Sequence, residues 1–314
     1  MLYKKVTFLT AMELWREKAE TCGFSPKTIR NTETTLKMLL RFVSPKMDLR
    51  SFSAAEYGRV LKQIKMSGYA AETICDLNAT LKKLVNLAFK KRLIRRNVLA
   101  ETDNLRVASQ SKARVIPREH FLKIIAQTRR REYRFLLTLL YCTGMRIGEA
   151  LALKQEDFLD LGGAMKVRVD KSYLHDFKMM KTTKNFKVRE IPISTEIFDE
   201  FLQEMSMIRA REQSAQSNRG GFSGRIFVFS PQAARAYLHK ICAELGLPKY
   251  RLHDFRHTFV SNLIRSGVPL PVVAQVSGDT QTTLLKRYSH AFPNDDQLII
   301  EAVACASGNA AKPT

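Results

Sequence analysis

Between Asn97 and Ala113 the apolar rhythm of the preceding residues stops, and the polar run that replaces it offers no apolar face. That break divides the chain into a first part at 1–97, a linker at 98–114 and a longer second part from 115. The 314 residues suffice for two modest domains, and a 45% hydrophobic content supplies a core to each.

The first part reads as four amphipathic helices with short connections, a small bundle. Thr10 is placed to cap the first helix, which carries Met12, Leu14 and Trp15 and ends before Gly23. Ser25 caps the second, with Pro26 at its first position and Ile29, Leu36, Leu39, Leu40 and Phe42 on the apolar face. The third spans about 53–66. The fourth, about 70–89, buries Ile74, Leu77, Leu81, Leu84, Val85 and Leu87 and passes into the basic run KKRLIRR.

The first hundred residues carry 20 Lys and Arg against 8 Asp and Glu, and the whole chain 52 against 30, a net charge of +22. Such an excess calls for an anionic partner, nucleic acid before an anionic membrane surface. Lys90, Lys91, Arg92, Arg95 and Arg96 form the densest basic cluster, suited to backbone phosphates of a duplex and not to reading its sequence. Solvated helix faces are the plainer alternative. No apolar run reaches the roughly 18 residues of a membrane span, and the N-terminus lacks the apolar core of a secretory signal. Cys22, Cys75, Cys142, Cys242 and Cys305 are scattered without a CxxC, which points to reduced thiols in the cytoplasm and away from a structural zinc site.

Residues 115–294 read as a mixed domain, so the expected fold is mostly α with a small β-sheet. Helices are predicted at 118–128, through REYRFLLTLLYCTG to Gly144, and at 195–211, 231–245, 254–265 and 270–276. Lys166 to Lys171 and Val188 to Ile193 alternate and should pair as strands, joined by the lysine-rich KMMKTTKNFK; SAQSNRGGFSG reads as a surface loop. Residues 295–314 read as a short helix with an apolar face and a small-residue tail, packing on its own domain or on a neighbouring subunit.

Arg146 follows a glycine turn and can present its planar fork to two oxygens of a phosphate; a structural pair with Glu149 is the alternative. His253 and Arg256, three apart, share one helix side. His257 completes an HxxxH pair compatible with zinc, but no Glu follows the first His and no third ligand is evident, so a structural hydrogen bond inside the helix is the simpler role. Tyr288 sits in LLKRYSH, where a phenol is either packing or a nucleophile whose phosphate ester conserves bond energy. Asp157, Asp160 and Asp170 are too dispersed to hold magnesium.

In their order and spacing, TGMRIGEALALKQEDF, TTKNFKVREIPIS, LHDFRHTFVSNLIRSG and SGDTQTTLLKRYSH resemble the tyrosine recombinases, or phage-type integrases, over nearly the whole chain. The resemblance implies a helical core-binding domain followed by a mixed α/β catalytic domain. It makes Arg146 and Arg256 the ligands of the scissile phosphate, Lys184 on a β-hairpin turn the acid for the leaving 5′ hydroxyl, His253 an assistant in proton transfer, and Tyr288 the residue that forms a 3′-phosphotyrosyl link. Lys178, Lys181 and Lys187 would touch DNA backbone. No metal, ATP or other cofactor is implied. The implied partners are duplex DNA with specific sites, a homo-tetramer across two sites, and accessory DNA-bending proteins, with the protein at the nucleoid. Integration and excision of a mobile element is the leading role; replicon-dimer resolution and a catalytically weak DNA-binding regulator are the alternatives.

One position departs from the pattern. Asp279 stands after Gly278, where these recombinases usually carry His or Trp. A carboxylate accepts hydrogen bonds and repels phosphate unless it orients Arg256 or another donor.

Overall fold

A computed structural model describes residues 5–100, 102, 114–182, 188–217 and 224–288. The chain divides into two compact units, 1–111 and 112–314.

In the first unit, α1 (Phe8–Thr21) is capped by Thr7 and not by Thr10, whose own backbone N–H donates to the Thr7 hydroxyl. An earlier start adds Phe8 to the buried face beside Ala11 and Trp15. Ser25 caps α2 (Pro26–Leu39), with Pro at its first position. Ser53 and Glu56 cap each other's backbone N–H at α3 (Ala54–Met66). The longest helix of this unit, α4 (Ala71–Lys90), packs against the other three through Leu77, Leu81 and Leu84. Each such leucine contributes about 2 kcal/mol by burial. Asn78 is buried too, and its side-chain oxygen accepts from the Tyr57 hydroxyl at 2.8 Å, so the two polar atoms satisfy each other away from water. The packing of this unit runs a little past residue 97. Leu99 is buried in the same core, and the Lys82 ammonium donates to the Thr102 carbonyl.

The second unit opens with α5 (Arg118–Gln127), α6 (Arg131–Thr143) and the single turn α7 (Ile147–Ala150). Among the described residues the strands that follow are β1 (Phe158–Asp160), β2 (Met165–Val169), β3 (Lys171–Leu174), β4 (Met179–Thr182) and β5 (Arg189–Pro192). Then come α8 (Thr195–Ser217), α9 (Pro231–Glu244), α10 (Leu252–Arg265), α11 (Leu270–Ser277) and α12 (Gln281–Tyr288). The expected pairing of the two alternating segments is present as β2 with β5, Val167 opposite Ile191 with both buried, and β1 completes an antiparallel sheet in the order β1-β2-β5. The lysine-rich connection is not a simple turn, because β3 and β4 form a second hairpin inside it. Every residue of β4 is exposed, so the alternation that betrays a half-buried strand is absent from its sequence. The last helical turns of α8 likewise extend beyond residue 211 into the polar run read as loop, since Arg, Glu, Gln and Ala all sustain a helix.

The core of this unit gathers around α6, whose Phe135, Leu136, Leu139 and Leu140 are buried and which packs on both α10 and α8. A smaller cluster of Val260, Ile264, Val273, Leu284 and Tyr288 joins α10, α11 and α12. Among the described residues, no helix is long and apolar enough to cross a membrane.

Candidate active site

Helix α6 ends at Gly144, whose φ of +61° belongs to the left-handed region and whose added Cβ would collide with the ring of Phe259. Only glycine meets both requirements. The turn it makes does two things for the site: its carbonyl accepts from Arg256 Nη1 at 2.8 Å, and two residues later Arg146 stands at the start of α7.

Arg146 is held by a buried acid. Its backbone N–H donates to Glu149 Oε2 at 2.9 Å, and its Nη1 to Oε1 at 3.0 Å. Glu149 also accepts from Arg189 at the head of β5, at 2.6 Å from Nη2 and 3.3 Å from Nη1. Arg189 Nε in turn donates to the Val276 carbonyl near the end of α11. Burial pushes the Glu149 carboxyl up, but the Arg189 and Arg146 guanidinium groups outweigh it and hold the acid below its usual range. One carboxylate thus ties α7, β5 and α11 into a rigid frame.

Within that frame both candidate clamps reach the same side chain. Arg146 Nη2 lies 2.8 Å from Asp279 Oδ1, and Arg256 Nη2 lies 2.6 Å from Oδ2. Asp279 directly follows Gly278, the residue that closes α11, where φ is +70° and an added Cβ would crowd the Arg189 guanidinium. Burial raises the Asp279 carboxyl, yet the charge and hydrogen bond of Arg256, with Arg146 and Arg287, bring it below the ordinary value. Burial and the neighbouring Arg146 lower Arg256, partly offset by Asp279.

His253 lies in the first turn of α10 with its ring 4.5 Å, centre to centre, from that of His257. Partial withdrawal from solvent and the charges of Arg256 and Arg146 lower its pKa, which favours a neutral imidazole. His257 Nδ1 is 2.7 Å from the Tyr288 hydroxyl. Burial, followed by His253, takes His257 down to about 4. Tyr288 is 1% exposed, and burial pushes its phenol up to about 12 although Arg256 pulls the other way.

Arg146, His253, Arg256, Asp279 and Tyr288 therefore come together in the second unit. Lys184 and Lys187 fall between β4 and β5, outside the described residues, as does the tail at 295–314. Lys178, at φ +48°, and Lys181 are exposed on the β3–β4 hairpin. Lys90, Lys91, Arg92, Arg95 and Arg96 are all exposed at the end of α4 and just after it in the first unit. Asp157 is buried and bonded to the Lys171 ammonium and the Lys154 backbone N–H. No cluster of three His, Cys, Asp or Glu side chains able to hold a metal occurs among the described residues. Two members of the site escape a reading of the sequence: Arg189, whose partner is 40 positions away, and His257 as the companion of Tyr288.

The second unit and the chain as a whole have known counterparts. Residues 114–295, more than half the chain, match the phage integrase family. The ICEBs1 integrase of Bacillus subtilis (strain 168) is 22% identical over 301 residues, covering 93% of this chain and 81% of that protein. A tyrosine recombinase XerC-like protein of Caldanaerobacter subterraneus subsp. tengcongensis is 22% identical over 284 residues, 82% of this chain and 72% of that one. In fold, the Tn1549 transposon integrase in complex with a circular intermediate DNA has a TM-score of 0.75 at 20% identity, covering 94% of this chain and 99% of the other. A lambda integrase tetramer bound to a Holliday junction has a TM-score of 0.69 at 17% identity, covering 93% and 78%. The chain belongs to the phage integrase family, the tyrosine-type site-specific DNA recombinases.

Proposed function

We propose that this protein cuts and rejoins duplex DNA at specific sites through a 3′-phosphotyrosyl link to Tyr288, in the integration and excision of a mobile element. The observation that carries the reading is the convergence of the Arg146 and Arg256 guanidinium groups on one pair of acidic oxygens, in the unit that also holds Tyr288. Two such forks suit the non-bridging oxygens of a phosphodiester and stabilise the charge added when a nucleophile attacks phosphorus. In this scheme the Tyr288 oxygen bonds to phosphorus, the bond to the 5′ oxygen breaks, Lys184 protonates that leaving oxygen and His253 assists. The buried phenol, hydrogen-bonded to His257, has to leave that contact to reach phosphorus, and it loses its proton as the new bond forms. Attack by a 5′ hydroxyl reverses the step, so the ester conserves the bond energy without ATP or metal.

The exposed basic residues from Lys90 to Arg96, with Lys178, Lys181 and Lys187, would hold the DNA backbone. A homo-tetramer on two sites, with accessory DNA-bending proteins, in the cytoplasm at the nucleoid, completes the reading. Likeness to the ICEBs1 integrase over 93% of the chain favours the mobile element; likeness to a XerC-like protein over 82% favours resolution of replicon dimers. The burial of Tyr288 and the carboxylate lodged between the arginines favour a third reading, a DNA-binding regulator with weak chemistry.

Footprinting on DNA flanking the protein's own coding sequence would supply the site. A duplex of that site, nicked beside the scissile phosphate, is then incubated with protein in EDTA and run on a denaturing gel. A covalent adduct that the Tyr288→Phe protein does not form is the expected result. A footprint without any adduct overturns strand exchange and leaves the regulator.

A further inference from the structure

We propose that Asp279 is a resident anion, its carboxylate occupying between Arg146 and Arg256 the place of a phosphate, so that capture of a phosphate at this site is a competition with Asp279. This rests on the reading that the two arginines form the phosphate pocket.

The geometry is that of a bound oxyanion. Each carboxylate oxygen takes one guanidinium nitrogen, Oδ1 from Arg146 and Oδ2 from Arg256, at 2.8 and 2.6 Å. Those distances are charge-assisted hydrogen bonds. The Nη1 atoms are engaged elsewhere by fixed parts of the fold, Arg256 with the Gly144 carbonyl and Arg146 with Glu149. The two Nη2 atoms are thus the donors aimed inward, and Asp279 satisfies both. A phosphodiester presents two non-bridging oxygens in a similar span and asks for the same two donors.

Charge points the same way. Three buried or half-buried guanidinium groups, Arg146, Arg189 and Arg256, face two carboxylates, Glu149 and Asp279. With Asp279 in place the cluster has one positive charge in excess, and without its charge it has two. Glu149 cannot play the competitor, because Arg189 Nη2 and the Arg146 backbone N–H hold its Oε2 while Arg189 Nη1 and Arg146 Nη1 hold its Oε1, away from the paired Nη2 atoms. Asp279 can leave, since it sits in the short turn between α11 and α12, where its backbone N–H donates to the nearby Ser277 hydroxyl. Its carboxyl is held below the usual range by Arg256 and Arg146, so mild acid does not empty the place. The arriving anion has to displace it.

The test uses the full chain and inorganic phosphate as the probe, with binding followed by calorimetry. Asp279→Asn should bind phosphate ~10-fold or more tightly than the wild type, because the variant keeps a side chain of the same shape and removes the competing charge. Arg146→Ala added to Asp279→Asn should abolish the gain. A purely structural Asp279 would produce weaker binding in the variant, and equal or weaker binding overturns the proposal. Should the variant fail to fold, the wild type decides: phosphate should raise the protonation midpoint of the Asp279 carboxyl, read by carbon NMR, and a midpoint that stays put while phosphate binds overturns it. Phosphate bound equally by both folded chains through Arg146 removes the competition alone. Phosphate bound by neither chain removes the pocket as well.

Discussion

The Tyr288 hydroxyl and His257 Nδ1, 31 positions apart in sequence, share a 2.7 Å hydrogen bond that joins α12 to α10. Both side chains are buried, with His257 8% and Tyr288 1% exposed, so neither has water to turn to if the other is removed. The bond is therefore a structural latch as well as the resting place of a candidate nucleophile.

His257→Ala leaves a dry phenol and should cost about 1–3 kcal/mol, as should Tyr288→Phe, which leaves a dry ring nitrogen. The double variant His257→Ala, Tyr288→Phe should cost less than the two added together. Urea titrations of the four proteins measure the difference, and full additivity would mean that the latch is not closed in solution.

His257 also makes stability depend on pH, because burial and the neighbouring His253 disfavour its charged form. An unfolded chain protonates His257 near the usual 6.5, whereas the folded chain does so only at about 4. The stability contribution is intact above 6.5 and is lost as pH falls toward 4, by about 3 kcal/mol in total, because the unfolded state takes up the proton first. His257→Gln should flatten this part of the profile relative to wild type. Parallel profiles would show that the ring titrates normally.

Glu149 is the acid on which Arg146 and Arg189 depend. Glu149→Ala should destabilise the second unit by about 3–5 kcal/mol, since Arg189 would be left charged and buried without its partner. Adding Arg189→Met should recover part of that loss. Denaturant unfolding with a probe in the second unit reads both; a double variant no better than the single would place the cost elsewhere.

Gly144→Ala should lower stability by about 2 kcal/mol or more, from the positive φ and from the overlap with Phe259. The cost should shrink in a Phe259→Ala background, where only the backbone strain remains. Thermal unfolding of the pair checks this, and an equal cost in both backgrounds would assign it all to φ.

What can be read from the chain before folding is whatever neighbours in sequence decide. Ser25 with Pro26, Ser53 with Glu56, the glycine after α6 and the apolar stripe of α4 act within a turn or two, so their consequences are written locally. The four motifs likewise carry their residue types in order, which is enough to nominate Arg146, His253, Arg256 and Tyr288. The β3–β4 hairpin escapes such a reading because β4 is exposed throughout and β3 half-buried throughout, so neither shows an alternating face. The partnerships that make a site out of those nominations belong to tertiary structure. Arg146 meets Asp279 across 133 positions, Arg189 meets Glu149 across 40, and Tyr288 rests on a histidine that its own helix gives no reason to choose. Hydrogen bonds and ion pairs act over a few ångströms of space, and only the packing of α7, β5, α10 and α11 brings those atoms within that reach.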